Sequence, residues 1–131
     1  MKILLDTQVF VWFAEDDPRL PNEMKRIIEK PWHQVCVSYA SFWKIALMIQ
    51  SGELPSSRPL DLIMNQTIKS GIEIVPLKLD HINRLGWLPQ HHDETFERML
   101  AAQALVENMM IVSDNPVYNT YGAVRLWSNP K

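Results

Sequence analysis

Apolar positions along this chain follow two spacings, and the switches between them mark out strands and helices. Short runs rich in aliphatic and β-branched residues read as strands at 2–6, Gln34–Ser38, Ile72–Leu77, Met109–Val112 and Ala123–Leu126. Between them, apolar residues recur every three or four positions. Those stretches predict helices over 8–14, from Pro21 or Asn22 to Glu29, from Ser38 or Ser41 to Gln50, over Leu60–Ser70, over Asp80–Leu85 and over Thr95–Glu107. The stop signals agree. Asp16-Asp17-Pro18 and Lys30-Pro31 break a helix, either serine can cap one, and Gly52 suits the position just past an end. Ser56-Ser57-Arg58-Pro59 reads as a loop. Strands separated by helices imply βαβ units. The expected fold is therefore α/β, one domain over residues 1–131, with a mainly parallel central sheet flanked by helices.

In such a sheet, functional groups collect at the carboxyl ends of strands. The first strand ends in Asp6, immediately before a helical segment, although a helix N-cap would explain an aspartate there equally well. A second concentration of polar groups lies far away in sequence. It runs through Leu88-Pro89-Gln90-His91-His92 and Phe96-Glu97-Arg98-Met99-Leu100-Ala101-Ala102-Gln103-Ala104 to Val112-Ser113-Asp114-Asn115 and Tyr121-Gly122. With the Leu4-Leu5-Asp6-Thr7 opening, the Ser38–Trp43 segment and Gly52-Glu53-Leu54, these stretches resemble the PIN-domain family across nearly the whole chain. Their order and spacing are most similar to the VapC-type toxins of bacterial toxin–antitoxin pairs.

The resemblance implies an endoribonuclease whose acidic residues hold Mg²⁺ or Mn²⁺ and ready a water for attack on a phosphodiester. It also implies a homodimer and a small cognate antitoxin whose C-terminal segment covers the acidic groove. Carried over residue by residue, Asp6 matches the first acidic position. Lys44 stands at the second, where the family has Glu, and Met48 replaces a frequent Lys. Glu97 takes the third, an Asp in the family, with Glu94 ahead of it. Spacing back from Tyr121 puts Asn115 in the fourth, or Asp114 if the register shifts by one residue. The metal-ligand set so implied is Asp6, Glu97 and Asp114 or Asn115. Glu97 keeps its charge and Asn115 keeps an oxygen, but Lys44 exchanges an acceptor for a cation. At ~4–6 Å, an ammonium would repel a divalent ion by several kcal/mol even at an effective dielectric near ~20. The expectation is that Lys44 reaches Asp6 and Glu97 and stands in for the missing ion. Otherwise it snorkels to solvent and leaves the oxygens to a metal. Two functions follow: a working ribonuclease toxin, or a silenced PIN fold kept as a binding module, such as an antitoxin sink or dimer partner.

Composition narrows the field. The 131 residues suffice for one core, and 47% hydrophobic content argues against disorder. No apolar run could cross a bilayer, and the Met1-Lys2-Ile3 start has no signal-peptide pattern, so a cytoplasmic protein is expected. The lone cysteine, Cys36, fits a buried thiol in a reducing compartment. A net charge of −2 gives no general hold on phosphates, so RNA contact would need a local patch, and Lys25, Arg26 and Lys30 read as a solvated helix face. The His91-His92 pair lacks zinc-ligand spacing, and the resemblance, which includes such a pair ahead of the helix, implies a structural or loop-ordering role. Gln103 reads as a satisfied buried amide, and Trp12, Trp43, Trp87 and Trp127 as core or subunit-contact residues.

Overall fold

The computed structural model describes residues 1–54 and 58–128, so Ser56 and Ser57 of the expected loop lie outside the described residues. Five strands, β1 (Lys2–Leu5), β2 (Gln34–Ser38), β3 (Glu73–Val75), β4 (Met110–Val112) and β5 (Arg125–Leu126), form one sheet in the order β3-β2-β1-β4-β5. Every pairing is parallel. The helices are α1 (Thr7–Ala14), α2 (Asn22–Glu29), α3 (Tyr39–Ser51), α4 (Leu60–Lys69), α5 (Leu79–Trp87), α6 (Thr95–Glu107) and α7 (Val117–Thr120).

β1 is apolar throughout its inner positions because both of its faces are covered. Ile3 and Leu5 join Val9, Phe10, Val35 and Val37 in one cluster. Leu4, on the opposite face, joins Leu100, Ala101, Ile111 and Tyr118 in another. The chain leaves β1 toward β2 on one side and returns to β4 on the other. The carboxyl end of β1 is therefore the point where the winding reverses and a crevice opens. Asp6 sits at that point.

Several boundaries differ from the sequence pattern for identifiable reasons. β3 stops at Val75 because Pro76 has no N–H to give the ladder. Asn108, left-handed at φ 56°, ends α6, and Met109 N–H bonds back to Ala104, which delays β4 to Met110. Ser38, not Ser41, caps α3, its Oγ accepting from Ala40 N at 2.9 Å. Ser41 instead bonds Thr7 Oγ1 at 2.8 Å and ties α3 to α1. The four-residue α7 was not legible, being too short to show a period. Gly52 occupies the left-handed position after α3, as its spacing suggested.

Cys36 is buried. Trp12 is buried and packs on the half-buried Trp127, whereas Trp43 and Trp87 are exposed. Gln103 is fully buried and only half satisfied. Its Nε2 donates to Pro76 O at 3.2 Å, and its Oε1 has no partner among the described residues. Lys25 pairs with Asp16 on the surface, in line with a solvated helix face. No helix among the described residues is long and apolar enough to cross a membrane.

Candidate functional site

The site begins where β1 turns into α1. Asp6 is the N-cap of α1, its Oδ1 accepting from Thr7 N at 2.8 Å. Its own N–H donates to Val112 O at 3.1 Å, which holds it beside the end of β4. Two hydroxyls complete its surroundings: Tyr118 Oη donates to Oδ1 at 3.1 Å and Ser113 Oγ to Oδ2 at 2.6 Å. Asp6 is only 5% exposed. Burial raises its carboxyl above the ordinary aspartate value. The Ser113 and Tyr118 hydrogen bonds oppose that rise, and the nearby charge of Glu97 adds to it.

Glu97 comes from the first turn of α6, where Glu94 is the N-cap and accepts from Glu97 N at 2.6 Å. Both oxygens of Glu97 are engaged. Oε1 meets His92 Nε2 at 3.0 Å, and Oε2 accepts from Asn115 Nδ2 at 3.0 Å. The orientation of Asn115 follows from its other partner. Val117 N–H can only donate, and it lies 3.0 Å from Oδ1, so the amide nitrogen faces Glu97. His92 Nδ1 lies 2.7 Å from Tyr121 Oη, which itself receives Arg98 Nη1 at 3.3 Å. Glu97 Oε1, a carboxylate oxygen, accepts from His92 Nε2, while His92 Nδ1 and the Tyr121 hydroxyl share a hydrogen bond whose direction follows the imidazole tautomer.

These groups border a cleft of about 170 Å³ lined by Asp6, Thr7, Gln8, Val11, Lys44, Met48, Glu97, Asp114 and Asn115. All five residues selected from the sequence reach it. Asp114 is exposed, while Asn115 is half-buried and bonded into the cluster. The partner of Lys44 is not the expected one. Its Nζ lies 3.8 Å from Glu94 Oε1, and that is its ion pair rather than one with Asp6 or Glu97. One Glu94 oxygen caps Glu97 N–H while the other meets Lys44, so this carboxylate links α3 to the start of α6.

The donors present fit a divalent ion poorly. Mg²⁺ and Mn²⁺ need several oxygen ligands, usually carboxylates. Here Glu97 already uses both oxygens on protein donors, Asn115 turns N–H toward the cluster, and Lys44 adds a positive charge to the wall. No group of three or more acidic, His or Cys side chains suited to hold an ion occurs among the described residues.

Reasoning from sequence left out Tyr118, which is fully buried beneath Asp6, and gave no role to Ser113. No signal marks Tyr118, because α7 has no period of its own. His92 was expected to order the loop ahead of α6, and its bonds to Tyr121 and Glu97 do so within the site itself.

The family model for the PIN domain matches residues 3–122. Solved structures share the fold at low identity. VapBC2 from Rickettsia felis bound to a promoter DNA fragment superposes with a TM-score of 0.72 at 14% identity, covering 96% of this chain and 98% of that one. The DNA-bound VapBC of Salmonella typhimurium gives 0.65 at 15% identity, with 95% and 96% covered. VapBC-1 of nontypeable Haemophilus influenzae gives 0.64 at 14%, with 96% and 97% covered. No curated protein matches the chain significantly in sequence.

Proposed function

The chain belongs to the PIN domain family, and on that premise we propose that it is the VapC-like member of a toxin–antitoxin pair in which RNA cleavage has been silenced. It acts in the cytoplasm as a single PIN domain over residues 1–131. As a homodimer it binds a small antitoxin, whose segment lies over the cleft beside Asp6. The observation that carries this reading is Lys44 lining the same cleft as Asp6 and Glu97, at the position where the resemblance expects a Glu. A cation there opposes a divalent ion and leaves hydrolysis without the charge that would activate water and steady the leaving oxygen. Fold and cleft persist, so the capacity to bind a partner persists with them.

A second reading is favoured by one observation: Asp6, Glu97 and Asp114 still open on a single cleft. In that reading the protein is a Mg²⁺- or Mn²⁺-dependent endoribonuclease toxin, with Asp6, Glu97 and Asp114 or Asn115 as metal ligands. Incubating purified protein with a mixed RNA panel and either ion separates the two. Silencing predicts intact RNA with the wild type and cleavage on restoring the acids in Lys44→Glu/Asn115→Asp. Cleavage by the wild type that disappears in Asp6→Ala would establish the second reading instead.

A further inference from the structure

Resting on the reading that the cleft no longer cuts RNA, we propose that a hydrogen-bond clamp, His92–Glu97–Asn115, has taken over the structural place of a divalent ion. The cleft holds its two buried-side carboxylates together with protein donors alone and has no affinity for Mg²⁺ or Mn²⁺.

The polarity of the network supports this. Donation runs in one direction from each side onto acidic oxygens. On one side His92 Nε2 donates to Glu97 Oε1, its Nδ1 being hydrogen-bonded to Tyr121 Oη, which also accepts from Arg98. On the other, Asn115 Nδ2 donates to Glu97 Oε2, and Asn115 N donates to Ser113 Oγ, which donates to Asp6 Oδ2. A single network therefore reaches both acids. It joins three segments distant in sequence: the end of β1, the start of α6 with the loop ahead of it, and the loop after β4.

Asn115 is the residue that makes this arrangement possible. Suppose an aspartate stood there in the same pose. Val117 N–H would still take one oxygen, and the other would face Glu97 Oε2 at the 3.0 Å now spanned by the amide. Two ionised carboxylates at that separation are not stable without a cation or a shared proton. The amide replaces that requirement with a neutral donor. Lys44 is not the substitute, because its charge goes to Glu94. A metal at Glu97 would have to share its oxygens with His92 and Asn115, and Asn115 cannot turn its oxygen inward without orphaning Val117 N–H.

The test is Mn²⁺ binding without RNA, followed by titration calorimetry and by the melting temperature in Mn²⁺ against a chelator. The wild type is expected to bind no Mn²⁺ at millimolar concentration and to melt identically in both buffers. Asn115→Asp is expected to melt lower in chelator. The Lys44→Glu/Asn115→Asp variant is expected to gain at least about tenfold in Mn²⁺ affinity, the scale on which groups around a metal act, and to recover its melting temperature with the ion. Should the variants not fold, paramagnetic broadening in the ¹⁵N-labelled wild type decides. An Asn115 side-chain amide signal that survives millimolar Mn²⁺ supports the clamp. One selectively broadened, or stoichiometric Mn²⁺ binding lost in Asp6→Asn, overturns it. Mn²⁺ binding without cleavage refutes the clamp and leaves silencing standing, whereas wild-type cleavage refutes silencing itself.

Discussion

At the scale of single residues, the position with most consequence is Asp6, and it is held at a cost to stability. Burial removes its carboxylate from water and Glu97 adds repulsion, so the folded carboxyl keeps its proton to higher pH than the unfolded one. An acid shifted this way stabilises the native state most at low pH. That contribution is lost as pH rises from the ordinary carboxyl range through the raised folded value. Asp6→Asn is therefore expected to be more stable than the wild type at neutral pH by about 1 kcal/mol, the usual size of gain when a strained functional group is neutralised. Asn is as good an N-cap as Asp, so α1 keeps its start. Urea titrations of both proteins across pH 3–8 would show curves converging at low pH; a variant less stable at every pH would refute this account. Cys36 is the contrasting case. Burial, with the Glu73 carboxylate 3.5 Å away, pushes its thiol up to about 12. A disulfide reagent at pH 8 is expected to leave it untouched in the folded protein and to modify it fully in denaturant. The sequence showed this residue as a lone cysteine in an apolar run, which sufficed for burial but not for its acidic neighbour.

Elements were legible where a period and a stop signal coincided. α6 has the bounds the sequence gives, Thr95–Glu107, because Glu94 caps it and Asn108 ends it. α3 was equally plain at Gly52, yet its start was ambiguous between two serines that sequence treats alike. Only the sheet decides: Ser38 is the last residue of β2 and so lies in extended backbone at φ −85°, ψ 150°, as a cap requires. Ser38→Ala is accordingly expected to lower stability by about 1 kcal/mol, with a further loss because the freed Ala40 N–H is buried. Ser41→Ala should cost less, since it frees a hydroxyl that can rotate rather than a backbone N–H fixed in the helix. Thermal melts of the two variants would rank them, and the reverse order would mean that the Thr7–Ser41 bond, not the cap, anchors α3. The candidate site was legible in the same uneven way. Asp6, Glu97 and Asn115 or Asp114 followed from the resemblance to the family, carried over residue by residue. The donors on Glu97 come from the loop before α6 and the loop after β4, and the meeting of those two is recorded in no local pattern.

For the whole molecule, the central strand governs how stability is distributed, and the site depends on it. β1 sends Ile3 and Leu5 into one core and Leu4 into the other, so neither cluster can melt without removing the strand both share. Leu4 is fully buried and lies in register with Cys36 and Ile111 on the flanking strands. Truncating it leaves a cavity beside three strands and the buried face of α6, for which about 3 kcal/mol is the typical loss. Against a total of roughly 5–15 kcal/mol, that is a large fraction, and it should lower the melting temperature by roughly 10 °C. The transition of Leu4→Ala should nonetheless remain single and cooperative, because the wound is in the element common to both layers. Asp6 stands two residues beyond Leu4 and depends on β1 and β4 staying paired for its bonds to Val112 and Ser113. Calorimetry and near-ultraviolet dichroism should therefore report one coincident transition in wild type and variant. A variant that melted in two steps would show that the layers are energetically separate. The acid cluster would then belong to only one of them, and its geometry could be altered by mutation without touching the other core.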